Sequence, residues 1–193
     1  MIKLKQDARK AGQQAREKIE IANQLQCTFL IELLIERPDA WNRLFRSDVL
    51  LRLVLPVLNP RRKIEKLLKK SIESGPKSGT GEKQALLDRL TSFLNVKLCK
   101  MRLSSMPLES PVNVEYASNL VVEIVDEAKW ATSKDHTSCC SGGLVLVLRT
   151  LPSMTDTLSV ASPLADAVSE WSTKRTTRLE ASLFNELIVH MPR

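Results

Sequence analysis

The stretch His136–Leu151, HTSCCSGGLVLVLRTL, decides how the whole chain is read. As a strand, Leu144–Leu148 would open a sheet. As a helix, the same residues would have to be buried on every side. As a ligand cluster, His136, Cys139 and Cys140 would point to a metal. An uninterrupted apolar run has no periodicity that separates strand from helix, so the rest of the chain must decide.

That rest is helical in pattern. Ala8, Ala11, Ala15, Ile19, Ala22, Leu25, Phe29 and Leu33 recur at steps of three or four and predict one long amphipathic helix, stopped near Arg37 by Pro38. Trp41, Leu44 and Phe45 follow in a short turn. Ser47 is placed to cap DVLLRLVLPVL, a buried helix with a kink at Pro56. Asn59 and Pro60 then open a basic helix that Gly75 ends, with Ile64, Leu67, Leu68 and Ile72 on one face. Flexible loops are expected at 74–82 and 103–111. Between them Leu87, Leu90, Leu94, Leu98 and Met101 mark another helix. Ser110–Pro111 and Ser162–Pro163 read as two further helix openings, and Thr177 with Glu180 as a capping box.

A single strand among so many helices would leave its backbone groups without partners. Residues 138–151 are therefore expected as a buried helix, starting near Ser138 or Ser141 and ending before Pro152. The fold class is all-α. Two layers of antiparallel helices, in the manner of an ARM/HEAT-like α-solenoid segment spanning 1–193, are the simplest way to bury that element.

Composition agrees. The chain has 193 residues, and aromatic residues make up 4%, so Leu, Val and Ile must build the core. Six glycines are too few for the tight turns of a sandwich or barrel. No apolar run approaches the roughly 20 residues of a membrane span, and no membrane partner is expected. The basic, polar start does not read as a secretory signal. Cys27, Cys99, Cys139 and Cys140 have no disulfide-framework spacing, which favours a reducing compartment.

Reactive chemistry is not written in the pattern. Zinc needs four convergent ligands, whereas adjacent cysteines on a helix point about 100° apart. Small cysteines packed at a helix entry are the expectation, with no metal and no cofactor. Neither His136 nor His190 stands near a nucleophile motif. Ser74–Lys83, SGPKSGTGEK, lacks the phosphate-loop pattern and follows no strand. Glu32, Glu36, Glu123, Asp126 and Glu127 fall on helix faces as solvent charges. Trp41, Trp130 and Trp171 stand apart, as core residues or helix-end plugs. No catalytic residues, and no enzyme, are expected.

Charge is the feature that asks for a partner. The net charge is +7, but residues 52–102 hold 13 Lys/Arg against 4 Asp/Glu. In PRRKIEKLLKK, the residues Arg61, Arg62, Lys63, Lys66, Lys69 and Lys70 form a candidate surface for the phosphates of DNA or RNA, with sequence-independent affinity. Arg62, Lys63, Lys66, Lys69 and Lys70 fall opposite Ile64, Leu67, Leu68 and Ile72 and are expected to face water. An import signal and an anionic-membrane contact are the other readings of the same helix.

The order of segments resembles the DNA polymerase V / Myb-binding nucleolar protein family from about Ala15 onward. The likeness is carried by Gln26–Leu58 (QCTFLIELLIERPDAWNRLFRSDVLLRLVLPVL), by Leu86–Pro107 (LLDRLTSFLNVKLCKMRLSSMP, with Lys97, Leu98, Cys99 and Lys100) and by Leu164–Pro192 (LADAVSEWSTKRTTRLEASLFNELIVHMP, with Trp171, Lys174, Phe184 and Pro192). Members are much longer and carry an acidic low-complexity stretch, so the resemblance implies that the chain corresponds to part of their later helical repeats or to a truncated product. The resemblance implies a nucleolar, non-enzymatic scaffold acting in rRNA gene transcription regulation and ribosome biogenesis, with rDNA or rRNA and other nucleolar proteins as partners. The alternative is a cytosolic protein-interaction α-solenoid whose basic face is incidental.

Overall fold

The computed structural model describes residues 2–37, 47–73, 80–99, 113–151 and 154–190. Seven α-helices run through them: α1 (Ile2–Ile35), α2 (Ser47–Glu73), α3 (Thr80–Ser92), α4 (Val114–Lys129), α5 (Lys134–Thr150), α6 (Met154–Thr173) and α7 (Ser182–His190). A π-helical turn, Phe93–Leu98, continues α3. No strand occurs among the described residues, and the protein is all-α.

The deciding stretch is α5, and it is the centre of the molecule. Ser133 caps it, its side chain accepting from the His136 backbone N–H. The helix therefore starts at Lys134, one turn before the expected Ser138. Every residue from Cys139 to Leu148 is buried. Burial on all sides explains why the run has no polar period. α5 touches α2, α3, α4, α7 and the π turn. Its two glycines permit that crowding. A Cβ at Gly142 would stand 3.0 Å from Cys99 Sγ, and one at Gly143 would stand 3.0 Å from Val54 Cγ1. Polar side chains pin its flanks: Ser141 Oγ donates to the Leu183 carbonyl at 2.8 Å, and Arg149 donates to the Cys99 carbonyl at 3.0 Å.

Around α5, α2 neighbours α3 and α4, and α4 neighbours α6. Lys69, late in α2, reaches the Thr132 carbonyl just after α4, and Lys129 of α4 pairs with Glu170 late in α6 at 3.2 Å. The C-terminal ends of α2, α4 and α6 thus meet at one end of the molecule. α1 packs only against α3 and its π turn among the larger contacts, and lies at the edge.

Several local expectations give way to tertiary burial. Pro56 and Pro60 both lie inside α2, which is one helix and not two. Its inward positions Leu50, Val54, Leu58, Arg61, Ile64 and Leu68 keep helical phase through both prolines, so continuous burial outweighs the two missing N–H groups. Ser47, expected as a cap, is already helical. Pro163 is internal to α6 for the same reason, with Val160, Leu164 and Ala167 buried in phase around it. Thr80–Glu82, expected in the first loop, open α3. Thr177 and Glu180 do not form a capping box: Thr177 Oγ1 accepts from Leu179 N in a turn before α7, and Glu180 accepts from Ser182. Asn113 caps α4, accepting from Glu115 and Tyr116 N–H groups. Residues 74–79, the 103–111 loop, the turn with Trp41, Leu44 and Phe45, and the Ser110–Pro111 opening lie outside the described residues.

α1 shows the largest reversal. Of its expected inward stripe, Leu25 is half-buried, whereas Ala11, Ala15, Ile19, Ala22, Phe29 and Leu33 are exposed; the side chain of Ala8 lies outside the described set. The face that packs carries Ile21, Thr28, Glu32 and Ile35. Leu30 and Leu34 add to the outward apolar face.

Candidate nucleic-acid interface

The six cations singled out on α2 do not share one environment. Successive helical residues turn by about 100°, so Arg61 and Lys63 stand on opposite sides. Arg61 is only 2% exposed. Its Nε donates to Thr91 Oγ1 at 2.8 Å and its Nη1 reaches Glu65 Oε2 at 3.1 Å. Arg62 is half-buried and donates from Nε to Glu127 Oε1 at 2.5 Å. Lys69 is tied on two sides, to Glu65 Oε1 at 3.3 Å and to the Thr132 carbonyl. Arg61, Arg62 and Lys69 therefore fasten α2 to its neighbours; Arg62 is half-buried against the expectation that it faces water, whereas Lys69 remains exposed.

Lys63 and Lys70 are exposed and Lys66 is half-exposed. Lys63 and Lys66 form no ion pair among the described residues. Arg52 falls on the same side of α2, exposed, with its guanidinium 5.4 Å from the Tyr116 ring centroid. The outward stripe is thus Arg52, Lys63, Lys66 and Lys70. Arg52 lay outside the expected patch because seven apolar or proline-containing positions separate it from the basic run. Helical phase alone relates it to Lys63.

The seam beneath the stripe is built from buried carboxylates. Glu127, 6% exposed, accepts from Arg62 and from His136 Nε2 at 3.1 Å. An ionised carboxylate only accepts, so the His136 proton sits on Nε2 in this bond. His136 Nδ1 is buried without a partner. Burial pushes the Glu127 carboxyl up, but hydrogen bonds and charge from His136 and Arg62 outweigh it and hold the group below the ordinary glutamate value. Glu65 behaves alike: burial raises it, while Ser133, Lys69, Thr132 and the Arg61 charge bring it lower. Glu32 is buried too, and meets Arg89 at 2.7 Å. The reading of Glu32 and Glu127 as solvent charges is corrected. Both answer cations more than fifty residues away, which no local pattern reveals.

Much of the basic surplus in 52–102 is answered in this way. Lys83 pairs with Glu17 at 2.6 Å, Arg89 with Glu32, and Lys97 with Glu36. These bonds join α1 to α3 and its π turn. Among the described residues of this segment, Lys63 and Lys66 form no ion pair, and both lie on the outward side of α2.

His136, Cys139 and Cys140 are all fully buried. The histidine faces Glu127, and burial pushes the Cys139 thiol up to about 11 and the Cys140 thiol higher still, which suppresses the thiolate a metal or an electrophile requires. Among the described residues no His, Cys, Asp and Glu side chains are grouped as a metal site. An open cleft of about 340 Å³ lies between α2, α3 and α5. Arg61, Asp88 and Asp135 share its walls, so one committed cation meets two carboxylates and the cleft does not suit an anion. No helix among the described residues is long and apolar enough to cross a membrane.

Neither a family model, nor a curated protein, nor a solved structure matches this chain.

Proposed function

We propose that the protein is a non-enzymatic helical scaffold that binds DNA or RNA through the cationic side of α2. The observation that carries this reading is the stripe Arg52, Lys63, Lys66 and Lys70, outward-facing on a helix held in place by the pairs of Arg61, Arg62 and Lys69 beneath it. Neighbouring lysines repel, and a polyanion relieves that repulsion while releasing its counterions. Among the described residues no groove-reading element accompanies the stripe, so the affinity proposed is sequence-tolerant. The neighbour relations α2–α4–α6, with α5 set between α4 and α7, support a two-layer ARM/HEAT-like repeat. The resemblance of segment order supports a nucleolar setting, with rDNA or rRNA as the polyanion and ribosome biogenesis as the process.

The test is fluorescence anisotropy with labelled RNA and DNA over a salt series. Binding at low salt that fades as salt rises, and weakens in a Lys63→Gln/Lys66→Gln/Lys70→Gln variant, supports the proposal. A second reading is a cytosolic protein-interaction solenoid, favoured by the outward apolar face of α1, where Ile19 is 61% and Leu30 57% exposed. Absence of nucleic-acid binding at low salt would leave that reading as the better one.

A further inference from the structure

Trp130 does not behave as a core residue or a plug. It closes the C-terminus of α4, its backbone N–H donating to the Glu127 and Ala128 carbonyls, and the residue remains 53% exposed. A tryptophan left in water forfeits the burial that normally places it. Here its ring is held by a cation instead: the Arg178 guanidinium, from the segment between α6 and α7, lies 4.9 Å from the ring centroid.

The position of this pair matters. Trp130 precedes by two residues the Thr132 carbonyl that Lys69 grips, so the ring stands where the cationic helix α2 ends. Lys134 opens α5 immediately after, and Lys174 and Arg175 follow the end of α6; all three are exposed and form no ion pair among the described residues. The carboxylates Asp126 and Glu170 at this end are both taken by Lys129, at 3.0 and 3.2 Å. Arg178 lies against the open indole, and further cations of α2, α5 and the α6–α7 segment belong to this end of the molecule, although these residues are far apart in the chain.

We propose that Trp130, with Arg178 laid against it, is a base-stacking platform for single-stranded nucleic acid at the end of the α2 stripe. The inference rests on the reading that α2 binds a polyanion and adds the class of strand. An indole face offers stacking to any unpaired base, and flanking cations take the phosphates on either side. A duplex keeps its bases stacked on each other, so it engages the lysines but not the ring. The protein therefore prefers single strands.

The full chain is titrated at low salt against a labelled short oligouridylate and against a labelled duplex of equal length. Trp130→Leu is expected to weaken oligouridylate binding roughly tenfold and to leave duplex binding unchanged. Trp130→Phe retains most of the affinity, because a ring is still present. Lys63→Gln/Lys66→Gln/Lys70→Gln weakens both ligands. Circular dichroism and a thermal melt report whether Trp130→Leu folds. If it does not, quenching by unlabelled oligouridylate in a Trp41→Phe/Trp171→Phe background reads the same contact, and unchanged Trp130 emission at saturation overturns the platform. Equal effects of Trp130→Leu on single strand and duplex, or no effect on either, also overturn the platform and leave the α2 stripe standing. No binding of either ligand removes the functional reading itself, and the platform with it.

Discussion

Glu127 receives two donors from different helices, Arg62 of α2 and His136 of α5, and is nearly sealed from water. Removing it leaves a guanidinium and an imidazole facing an apolar gap, and unmet charge-assisted bonds cost about 1.5–3 kcal/mol each. Glu127→Ala is therefore expected to lower unfolding stability by about 3 kcal/mol or more, measured by urea denaturation. The same groups set a pH dependence. Glu65 and Glu127 both titrate below the ordinary glutamate value in the folded protein, so their contribution is complete above the unfolded value of about 4.5 and is lost as pH falls through the lowered folded values. A melting temperature that declines on acidification below that point, and declines less in Glu127→Gln, is the expected result. Gly143 gives a third test at this scale. A Cβ there would stand 3.0 Å from Val54 Cγ1, and Val54 is fully buried. Gly143→Val should cost about 1–3 kcal/mol by overpacking, read as a drop in melting temperature. Little of this was legible in the residue types. A basic run shows six cations, but which of them turns inward depends on carboxylates that other helices deliver.

At the scale of elements, the sequence is a better guide to existence than to extent. The helical state of residues 138–150 follows from context, because a buried strand without neighbours has no place for its hydrogen bonds. Its true start, at Lys134 behind the Ser133 cap, was hidden by the polar residues of its first turn. Asn59 and Pro60 imitate a start signal and predict two helices where α2 is one; burial of Leu58, Arg61 and Ile64 in phase overrides that signal. In α1 the periodic apolar residues predict the helix but not the face that packs. The helix has apolar side chains on both faces, and packing on α3 selects Ile21 and Ile35. This predicts an asymmetry between the two faces. Leu30→Glu with Leu33→Lys should change stability by no more than about 0.5 kcal/mol for each substitution, while reducing binding of an apolar dye. Ile21→Ala, on the buried face, should cost about 2 kcal/mol or more in the same denaturation assay. Equal losses from both faces would mean that α1 is packed differently.

For the molecule as a whole, the cations among the described residues of the basic segment fall into two parts. One part is internal: Lys83, Arg89, Lys97, Arg61, Arg62 and Lys69 meet carboxylates and hold α1, α2, α3 and α4 together. The other part is the outward side of α2, continued by the cations at the Trp130 end of the molecule. Net charge registers their sum and cannot divide them, which is why the basic segment was legible and its working surface was not. The division has a direct consequence. Gln at Lys63, Lys66 and Lys70 should leave helix content and melting temperature intact, because these side chains point away from the core. The measurement that bears most directly on the account is the slope of log affinity against log salt for a single-stranded oligonucleotide, in the unaltered protein and in that triple variant. Three lost phosphate contacts at about 0.7 each should flatten the slope by roughly 2. An unchanged slope in a folded triple variant, or no binding at low salt in the unaltered protein, would contradict it.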